Sequence, residues 1–279
     1  MIIDCHCHAG PGDGFQGPWD SHAPLQAFLE WSSAADIQHT VLFPAFHSDY
    51  LIANRIVARI VRADRARFTG FAFIHAERDR GRVASVIGEM VETHGFRGIK
   101  VHRSDARISR EIIDAARRFR VPVLYDPTGE VESVGLFAPQ FPDVNFIIPH
   151  LGSFADDWRA QRAIADLLIL HPNVYADTSG VRRFDLLANA VKRAGAGKFL
   201  FGSDGPWLHP GLELHKIRLL RLPPAQEALI TGGNAARLLG IPQPAASRPQ
   251  TASAPTAARL TPSRSPVAAR RPAIATPAR

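Results

Sequence analysis

Two histidines near the start of the chain have the residue type and spacing of metal ligands. His6 and His8 lie in the run MIIDCHCH at residues 1–8, after a short apolar stretch typical of a β-strand. Side chains alternate along a strand, so both imidazoles would point to one side, with Cys5 and Cys7 on the other. The pair alone is weak evidence, because two histidines can also be satisfied by hydrogen bonds in a polar pocket.

Polar side chains also end most of the other apolar runs. They are Lys100 and His102 after one run, and then Asp126, His150, Asp177 and Asp204 after the following four. Imidazoles and carboxylates that converge on one point are the groups that proteins use to bind a divalent cation. The sequence therefore predicts a metal site, provided that the fold brings these strand ends together.

Eight short apolar runs alternate with helical patterns through residues 1–240. The predicted strands are 1–6, 40–46, 68–74, 98–102, 121–126, 145–150, 173–178 and 198–203. The clearest predicted helices are 49–67, 82–95, 109–120, 156–171 and 184–195, and the segment between the fifth and sixth strands has the weakest helical pattern. Eight regular repeats favour an α/β fold, a closed parallel (β/α)8 TIM barrel, over a doubly wound open sheet.

Closure of the barrel would gather the candidate residues at one end. Active sites of such barrels lie at the carboxyl ends of the strands. The first and last strands would be neighbours, so His6 and His8 would lie beside Asp204 and face the barrel interior. Cys5 and Cys7 would then pack outward together.

The composition changes sharply at Ile241. Residues 241–279 contain eight prolines, eleven alanines and six arginines, and they contain no acidic residue. Such a segment cannot bury enough apolar surface to offset the entropy of ordering, so we expect a disordered tail after a barrel domain at 1–240. Subtracting the six arginines from the net charge of +7 leaves +1 for the domain, which gives no reason to expect nucleic-acid binding.

Other features of the sequence restrict the classes of protein to which the chain can belong. No apolar run is long enough to cross a membrane, and the first residues lack the pattern of a signal peptide. Cys5 and Cys7, the two cysteines of the chain, do not make a disulfide framework, which suggests a reducing, cytoplasmic compartment. We therefore expect a cytoplasmic protein that binds a small-molecule substrate, with no nucleic-acid or membrane partner and with homo-oligomerisation left open.

The sequence resembles a known family. It is similar to the amidohydrolase superfamily, in the amidohydrolase-related group (amidohydrolase 2) of metal-dependent hydrolases and decarboxylases. The motifs that carry the resemblance are DCHCH (4–8), GFRGIKVH (95–102), VPVLYD (121–126), FIIPHLG (146–152), NVYADTSG (173–180), FLFGSDGPW (199–207) and ITGGNAARLLG (230–240). Each motif is modest alone, but together they are specific and span essentially all of the predicted domain.

The resemblance implies roles for particular residues. His6 and His8 would bind one divalent metal ion, zinc in the first place, with manganese or iron as alternatives. Asp204 would be a further ligand and would handle a proton of the reacting water, while His150 would polarise the substrate or the water beside the metal. Asp126 departs from the family pattern, which usually has a histidine ligand there. It can still bind the metal as a carboxylate, or it can mark a site that has lost its metal.

These residues predict an enzyme, a metal-dependent hydrolase that acts on a small carboxylate, ester, lactone or amide through a metal-activated water. One alternative is a non-oxidative decarboxylase of an unsaturated or aromatic acid with the same ligands. The other is a catalytically inactive or metal-free barrel.

Lys100 matches a strand lysine that is carboxylated in some branches of the superfamily, where it bridges two metal ions. We interpret Lys100 here as a cation that orients a substrate carboxylate or pairs with Asp126. Asp177 is interpreted as a strand-end cap.

Overall fold

The computed structural model describes residues 1–14, 22–154 and 157–243. The tail predicted for residues 241–279 lies outside the described residues apart from its first three positions, so its disorder stays a prediction. Within the described residues, no helix combines the length and the apolar character needed to span a bilayer.

Ten strands lie in the described part of the chain and account for all eight predicted ones. They are β1 (Ile2–Pro11), β2 (His22–Ala23), β3 (Ile37–Pro44), β4 (Phe68–Gly70), β5 (Ala72–Phe73), β6 (Ile99–His102), β7 (Val123–Asp126), β8 (Phe146–Ile148), β9 (Val174–Asp177) and β10 (Phe199–Leu200). β4 and β5 are two halves of one predicted strand. β2 is a short addition that pairs antiparallel with the end of β1.

Parallel pairing joins the strands into a ring. β1 pairs with β3 and β3 with β4, while β5 to β10 pair in chain order. The two parts meet at Phe71, whose N–H donates to the Leu42 carbonyl at 2.9 Å. The ring closes where Cys7 pairs with Gly205, just after β10. The predicted (β/α)8 barrel is therefore confirmed.

Helices follow most of the strands and cover the outside of the ring. In the described residues they are α1 (Leu25–Ala34), α2 (Tyr50–Ala63), α3 (Val83–Gly88), α4 (Arg110–Phe119), α5 (Glu132–Phe137), α6 (Trp158–Leu170), α7 (Phe184–Ala194), α8 (Pro210–Leu219), α9 (Pro224–Ala228) and α10 (Asn234–Leu239). Asp49 caps α2, since its carboxylate accepts from the Leu51 N–H at 2.9 Å. α5 has only six residues, in keeping with the weak helical pattern of its segment.

Separate apolar clusters fill the inside of the barrel and its outer layer. The inner cluster takes side chains from β1, β3, β7, β8, β9, β10 and α10. Cys5 belongs to this cluster, whereas Cys7 packs in another one beside Phe28 and Leu42. The prediction that both cysteines pack outward is therefore wrong. The reason is a register shift in β1 between Asp4 and Cys7, which interrupts the strict alternation of sides.

Candidate active site

A cavity of about 350 Å³ collects the polar residues that end the strands. It is lined by His6, His8, Lys100, His102, Asp126, His150 and Asp204. Phe46, Phe154 and Trp207 add aromatic surface to its walls. The fold thus brings together at one site the candidate residues that the sequence places on five separate strands.

Three of the four predicted metal ligands present donor atoms to one point. Asp204 Oδ1 lies 3.2 Å from His6 Nε2 and 3.7 Å from His8 Nε2. The three side chains are buried, and their donor atoms lie within 4.8 Å of one another. The group depends on barrel closure, because the two histidines come from β1 and Asp204 follows β10 almost two hundred residues later.

Hydrogen bonds at the far side of both rings fix where the imidazole protons are. His8 Nδ1 lies 2.8 Å from the Pro44 carbonyl oxygen, which can only accept, so this nitrogen carries the proton. His6 Nδ1 lies 2.7 Å from Asp177 Oδ2 and donates to that carboxylate. Both Nε2 atoms are then lone-pair donors for a cation, an arrangement typical of metal-binding histidines.

The His6 Nε2 atom shows that these residues fit a metal ion. It is buried and has no hydrogen-bond partner among the described residues. Its lone pair faces the Asp204 carboxylate, and two acceptors at this distance repel unless a positive charge lies between them. A divalent cation held by two imidazole nitrogens and a carboxylate oxygen meets this requirement.

The charges around His6 also favour a positive charge between its Nε2 atom and Asp204. Burial and the Lys100 ammonium both oppose a positive charge on the ring, but Asp177 and Asp204 outweigh them and raise the pKa of His6 to about 9. Burial lowers the pKa of His8 well below its ordinary value, which keeps this imidazole neutral. The site therefore attracts one positive charge to His6 Nε2 and leaves His8 free to act as a ligand.

Asp177 is more than the strand-end cap predicted from the sequence. In addition to His6 Nδ1, it binds the Ser179 hydroxyl at 2.6 Å and the His150 N–H at 3.2 Å, both through Oδ1. Residues His6, His150 and Asp177 also form a close group of potential ligands, but their facing atoms are already used in these hydrogen bonds. Asp177 therefore orients His6 and the turn that carries His150.

His150 lies beside His6, where the sequence predicts it. Its ring centroid is 4.9 Å from that of His6, and its Nδ1 lies 2.9 Å from the Ser179 carbonyl oxygen, to which it donates. The other nitrogen, Nε2, faces the cavity. His150 and Asp204 both have left-handed backbone conformations, with φ of 58° and 59°. Such strain in residues other than glycine is concentrated at functional sites.

Asp126 lies in the cavity but outside the group of three donor atoms among the described residues. Its Oδ1 accepts from the Thr128 N–H at 2.8 Å. Its Oδ2 lies 3.2 Å from His102 Nε2 and 3.6 Å from His150 Nε2. Burial alone would raise the pKa of Asp126, but the neighbouring histidines and Lys100 outweigh it and hold this pKa far below its usual range. Its role as a metal ligand stays a prediction.

Lys100 brings a buried positive charge to the cavity. Its side chain is only 1% exposed, and its ammonium lies 5.0 Å from the centroid of the Phe43 ring. Among the described residues, the ammonium makes no hydrogen bond and no ion pair within 4 Å. Burial lowers the pKa of Lys100, although several carboxylates oppose this effect. The predicted pairing with Asp126 is thus not a direct contact, and the ammonium is free to meet an anion.

Asp4 is a structural support that the sequence analysis did not identify. Its buried carboxylate accepts from the Ser203 N–H at 2.9 Å, the Ser203 hydroxyl at 2.5 Å and the His6 N–H at 3.1 Å. These bonds tie the strand that carries His6 to the segment that carries Asp204. An acidic residue two positions before the H-x-H pair was the available signal in the sequence.

Comparisons with known proteins agree with this geometry. Residues 3–241 match the sequence model of a family described as amidohydrolase. Curated proteins gave no match. The structure is similar to that of 5-carboxyvanillate decarboxylase from Sphingomonas paucimobilis, with 14% identity, a TM-score of 0.67 and coverage of 87% of this chain and 99% of that one.

Two further solved structures are similar over comparable lengths. A dihydroxybenzoic acid decarboxylase from a Polaromonas species, with bound manganese and 2-nitroresorcinol, has 17% identity and a TM-score of 0.66 over 86% of this chain and 96% of that one. An amidohydrolase from Burkholderia multivorans, with bound HEPES, has 17% identity and a TM-score of 0.72 over 87% of this chain and all (100%) of that one. At such identities, the similarity establishes the fold.

Proposed function

The chain belongs to the amidohydrolase family, whose members are hydrolases or decarboxylases, and we propose that it is a metal-dependent hydrolase of a small anionic carbonyl compound. The observation that carries the proposal is the convergence of His6 Nε2, His8 Nε2 and Asp204 Oδ1. Esters, lactones and amides of small carboxylic acids are the substrates that this site would suit.

His6, His8 and Asp204 would hold one divalent ion. Two imidazoles and one carboxylate suit zinc, and manganese or iron are the alternatives. When bound, the ion supplies Lewis acidity to a carbonyl oxygen and makes a water molecule more acidic. A set of three protein ligands is typical of catalytic sites, which keep a further position open.

Asp204 and His150 would move the protons. The Asp204 carboxylate accepts a proton from the attacking water and returns it to the leaving group. His150 is anchored through Nδ1 to the Ser179 carbonyl, so it handles its proton at Nε2, which faces the cavity. Nε2 carries a proton only in the imidazolium form, which burial opposes and the Asp204 and Asp126 carboxylates favour. In that form Nε2–H donates to the substrate oxygen as negative charge develops there.

Lys100 and the aromatic walls support an anionic, compact substrate. A buried ammonium without an ion pair among the described residues gains most from a ligand that brings a negative charge. Phe46, Phe154 and Trp207 offer apolar surface on which a flat substrate can pack. The cavity volume limits the substrate to a small molecule.

Decarboxylation of an unsaturated or aromatic acid is the second candidate. The same aromatic walls favour it, because they can enclose a planar ring, while Lys100 or the metal site receives the carboxylate. Two of the similar structures described above are decarboxylases of aromatic acids. In this reaction His150 would first be protonated at Nε2 as well as at Nδ1, and it would deliver the Nε2 proton to the carbon that loses CO₂.

Elemental analysis of the purified protein tests the proposal. We expect about one equivalent of zinc, manganese or iron, lost in the His6→Ala/His8→Ala double variant. Hydrolysis of an ester, lactone and amide panel and CO₂ release from aromatic acids then separate the two reactions. Absence of bound metal after reconstitution with each of these ions would overturn the assignment.

A further inference from the structure

Asp126 occupies the end of β7, inside the cavity but apart from the three donor atoms. We infer that Asp126 does not hold the metal ion but orients the His102 ring through a carboxylate–imidazole contact and places its negative charge beside His150 Nε2, so that both histidines serve the substrate. This inference rests on the proposed function, because it divides the residues of the proposed active site into metal ligands and residues that face the substrate. It makes Asp126 a positioning residue.

Both oxygens of Asp126 lie against polar groups other than the three metal ligands. The Thr128 N–H donates to Oδ1 at 2.8 Å, which fixes the carboxylate against the backbone of the following turn. Oδ2 lies 3.2 Å from His102 Nε2 and 3.6 Å from His150 Nε2. The side chain is almost fully buried, so these contacts are not exchanged with bulk water. A metal ion would have to compete with them for the same lone pairs.

The protonation of His102 is set by the backbone. The Ser104 N–H lies 3.1 Å from His102 Nδ1 and can only donate, so that nitrogen carries a lone pair. In the neutral ring the proton is then on Nε2, the nitrogen that lies 3.2 Å from Asp126 Oδ2. This N–H group occupies the space next to the carboxylate that a cation would need. His102 also packs edge-on against Phe46, with ring centroids 5.0 Å apart.

The metal side is complete without Asp126. His6 is held from behind by Asp177, and His8 is held by the Pro44 carbonyl. Together with Asp204 they make three ligands that bear one negative charge, so a divalent ion keeps a net positive charge and its Lewis acidity. A second carboxylate ligand would neutralise the ion and weaken its effect on a bound carbonyl.

Metal binding by the full-length chain tests the inference, with Zn²⁺ and Co²⁺ as probes. Asp126→Asn is compared with Asp204→Asn, an equally conservative change at a proposed ligand. Affinity is measured by competition with a chelator, and the visible spectrum of the Co²⁺ form reports the coordination. We expect Asp126→Asn to bind both ions within about threefold of the parent with an unchanged Co²⁺ spectrum, and Asp204→Asn to lose at least about 10-fold in affinity.

Nitrogen-15 NMR spectra of the histidine side chains give a second measurement. It would not change if Asp126 had only a structural role. Asp126→Asn should shift the ring signals of His102 and His150 and leave those of His6 and His8 unchanged. Weaker metal binding in step with Asp204→Asn, or an altered Co²⁺ spectrum, would overturn the inference and leave the proposed function standing. A parent protein that binds neither ion would overturn both.

Discussion

At the scale of the residue, the site depends on hydrogen bonds that decide which nitrogen of each histidine carries the proton. His6 donates through Nδ1 to Asp177, and His8 donates through Nδ1 to the Pro44 carbonyl. Both rings therefore turn Nε2 towards Asp204, where a bound cation would take the place of any proton on that nitrogen. A metal site is formed by these outer contacts as much as by its ligands.

Asp177→Asn tests this dependence. The amide keeps the size of the side chain but removes the negative charge behind His6, so the ring becomes a weaker and less well oriented ligand. We expect metal affinity to fall about 10–100-fold, measured by chelator competition. Asp185→Asn changes an exposed aspartate that pairs with Arg183 and serves as the matched control. Equal affinities in the two variants would contradict the role given to Asp177.

Lys100→Met separates stability from activity. The substitution removes a buried ammonium that has no ion pair among the described residues, while a chain of similar length still fills the space. We expect the melting temperature to rise by about 2–4 °C, equivalent to about 1 kcal/mol for a domain of this size. Turnover of an anionic substrate should fall through a higher KM, with metal content unchanged.

Thermal unfolding and steady-state kinetics check this prediction. Lys192→Met, at an exposed position on α7, is the control and should alter neither quantity. A lower melting temperature for Lys100→Met would show that the ammonium stabilises the fold instead of serving the substrate.

The residues of the site differ in how far sequence alone predicts them. His6, His8 and Asp204 follow from strand alternation and barrel closure, which are general rules. The partner of His6 lies 171 positions away and that of His8 lies 36 positions away. No local pattern encodes such contacts, because they depend on where the ends of β9 and β3 lie relative to β1. The neighbours of Asp126 could not be predicted from the sequence for the same reason.

At the scale of the element, the junction of β1 with the segment after β10 brings the ligands together. The Asp204 N–H donates to the His6 carbonyl at 2.8 Å, and the His8 N–H donates to the Gly205 carbonyl at 2.6 Å. Asp4 adds side-chain hydrogen bonds to Ser203. The eight strands and their order could be predicted from apolar runs, but the register shift in β1 could not. Periodicity assumes an unbroken pleat, and a shift of one residue reverses the sides.

Asp4→Ala is expected to loosen this junction. The change removes three hydrogen bonds and leaves the buried Ser203 N–H without its partner. Burial raises the pKa of Asp4 to about 7, so its carboxyl is partly neutral near pH 7. With about 1 kcal/mol for each hydrogen bond, we expect a loss of about 3 kcal/mol in the free energy of unfolding. Denaturant titration measures it. Ser203→Ala keeps the backbone bond to Asp4 and should cost about half as much. Similar small losses in both variants would contradict the role of Asp4.

At the scale of the whole molecule, the last helix of the described chain closes the barrel at the end opposite the cavity. Residues of α10 pack in the inner cluster, and the Asn234 amide donates to the carbonyls of Ala196 and Phe199, both at 2.8 Å. Arg97 binds the carbonyls of Leu239 and Gly240. The helix therefore joins the first and last parts of the ring.

Gly232→Ala should disturb this closure. A Cβ atom at this position would lie 2.2 Å from the Met1 carbonyl oxygen. Neither backbone can yield without moving the start of β1 or the turn that leads into α10. Overpacking of this kind costs about 1–3 kcal/mol, which a thermal melt measures. Gly197→Ala is the control, since a Cβ atom there meets no atom within 4 Å. A melting temperature equal to that of the control would contradict the close approach.

The boundary between the barrel and the predicted tail can be located with two shortened chains. Ile241 is 8% exposed and packs in the inner cluster, and Leu239 is 4% exposed. The sequence from 244 onward consists largely of proline, alanine, serine, threonine and arginine, so it has little to bury. A chain that ends at residue 243 should therefore keep the melting temperature and metal content of the full chain.

A chain that ends at residue 238 should be much less stable. It loses two buried side chains and both carbonyls that bind Arg97. Since full burial of one leucine or isoleucine side chain contributes about 1.5–3 kcal/mol, we expect a loss of about 3 kcal/mol or more. A lower melting temperature already in the chain that ends at 243 would mean that the arginine-rich tail packs against the barrel. In that case the tail would be part of the folded molecule, contrary to its composition.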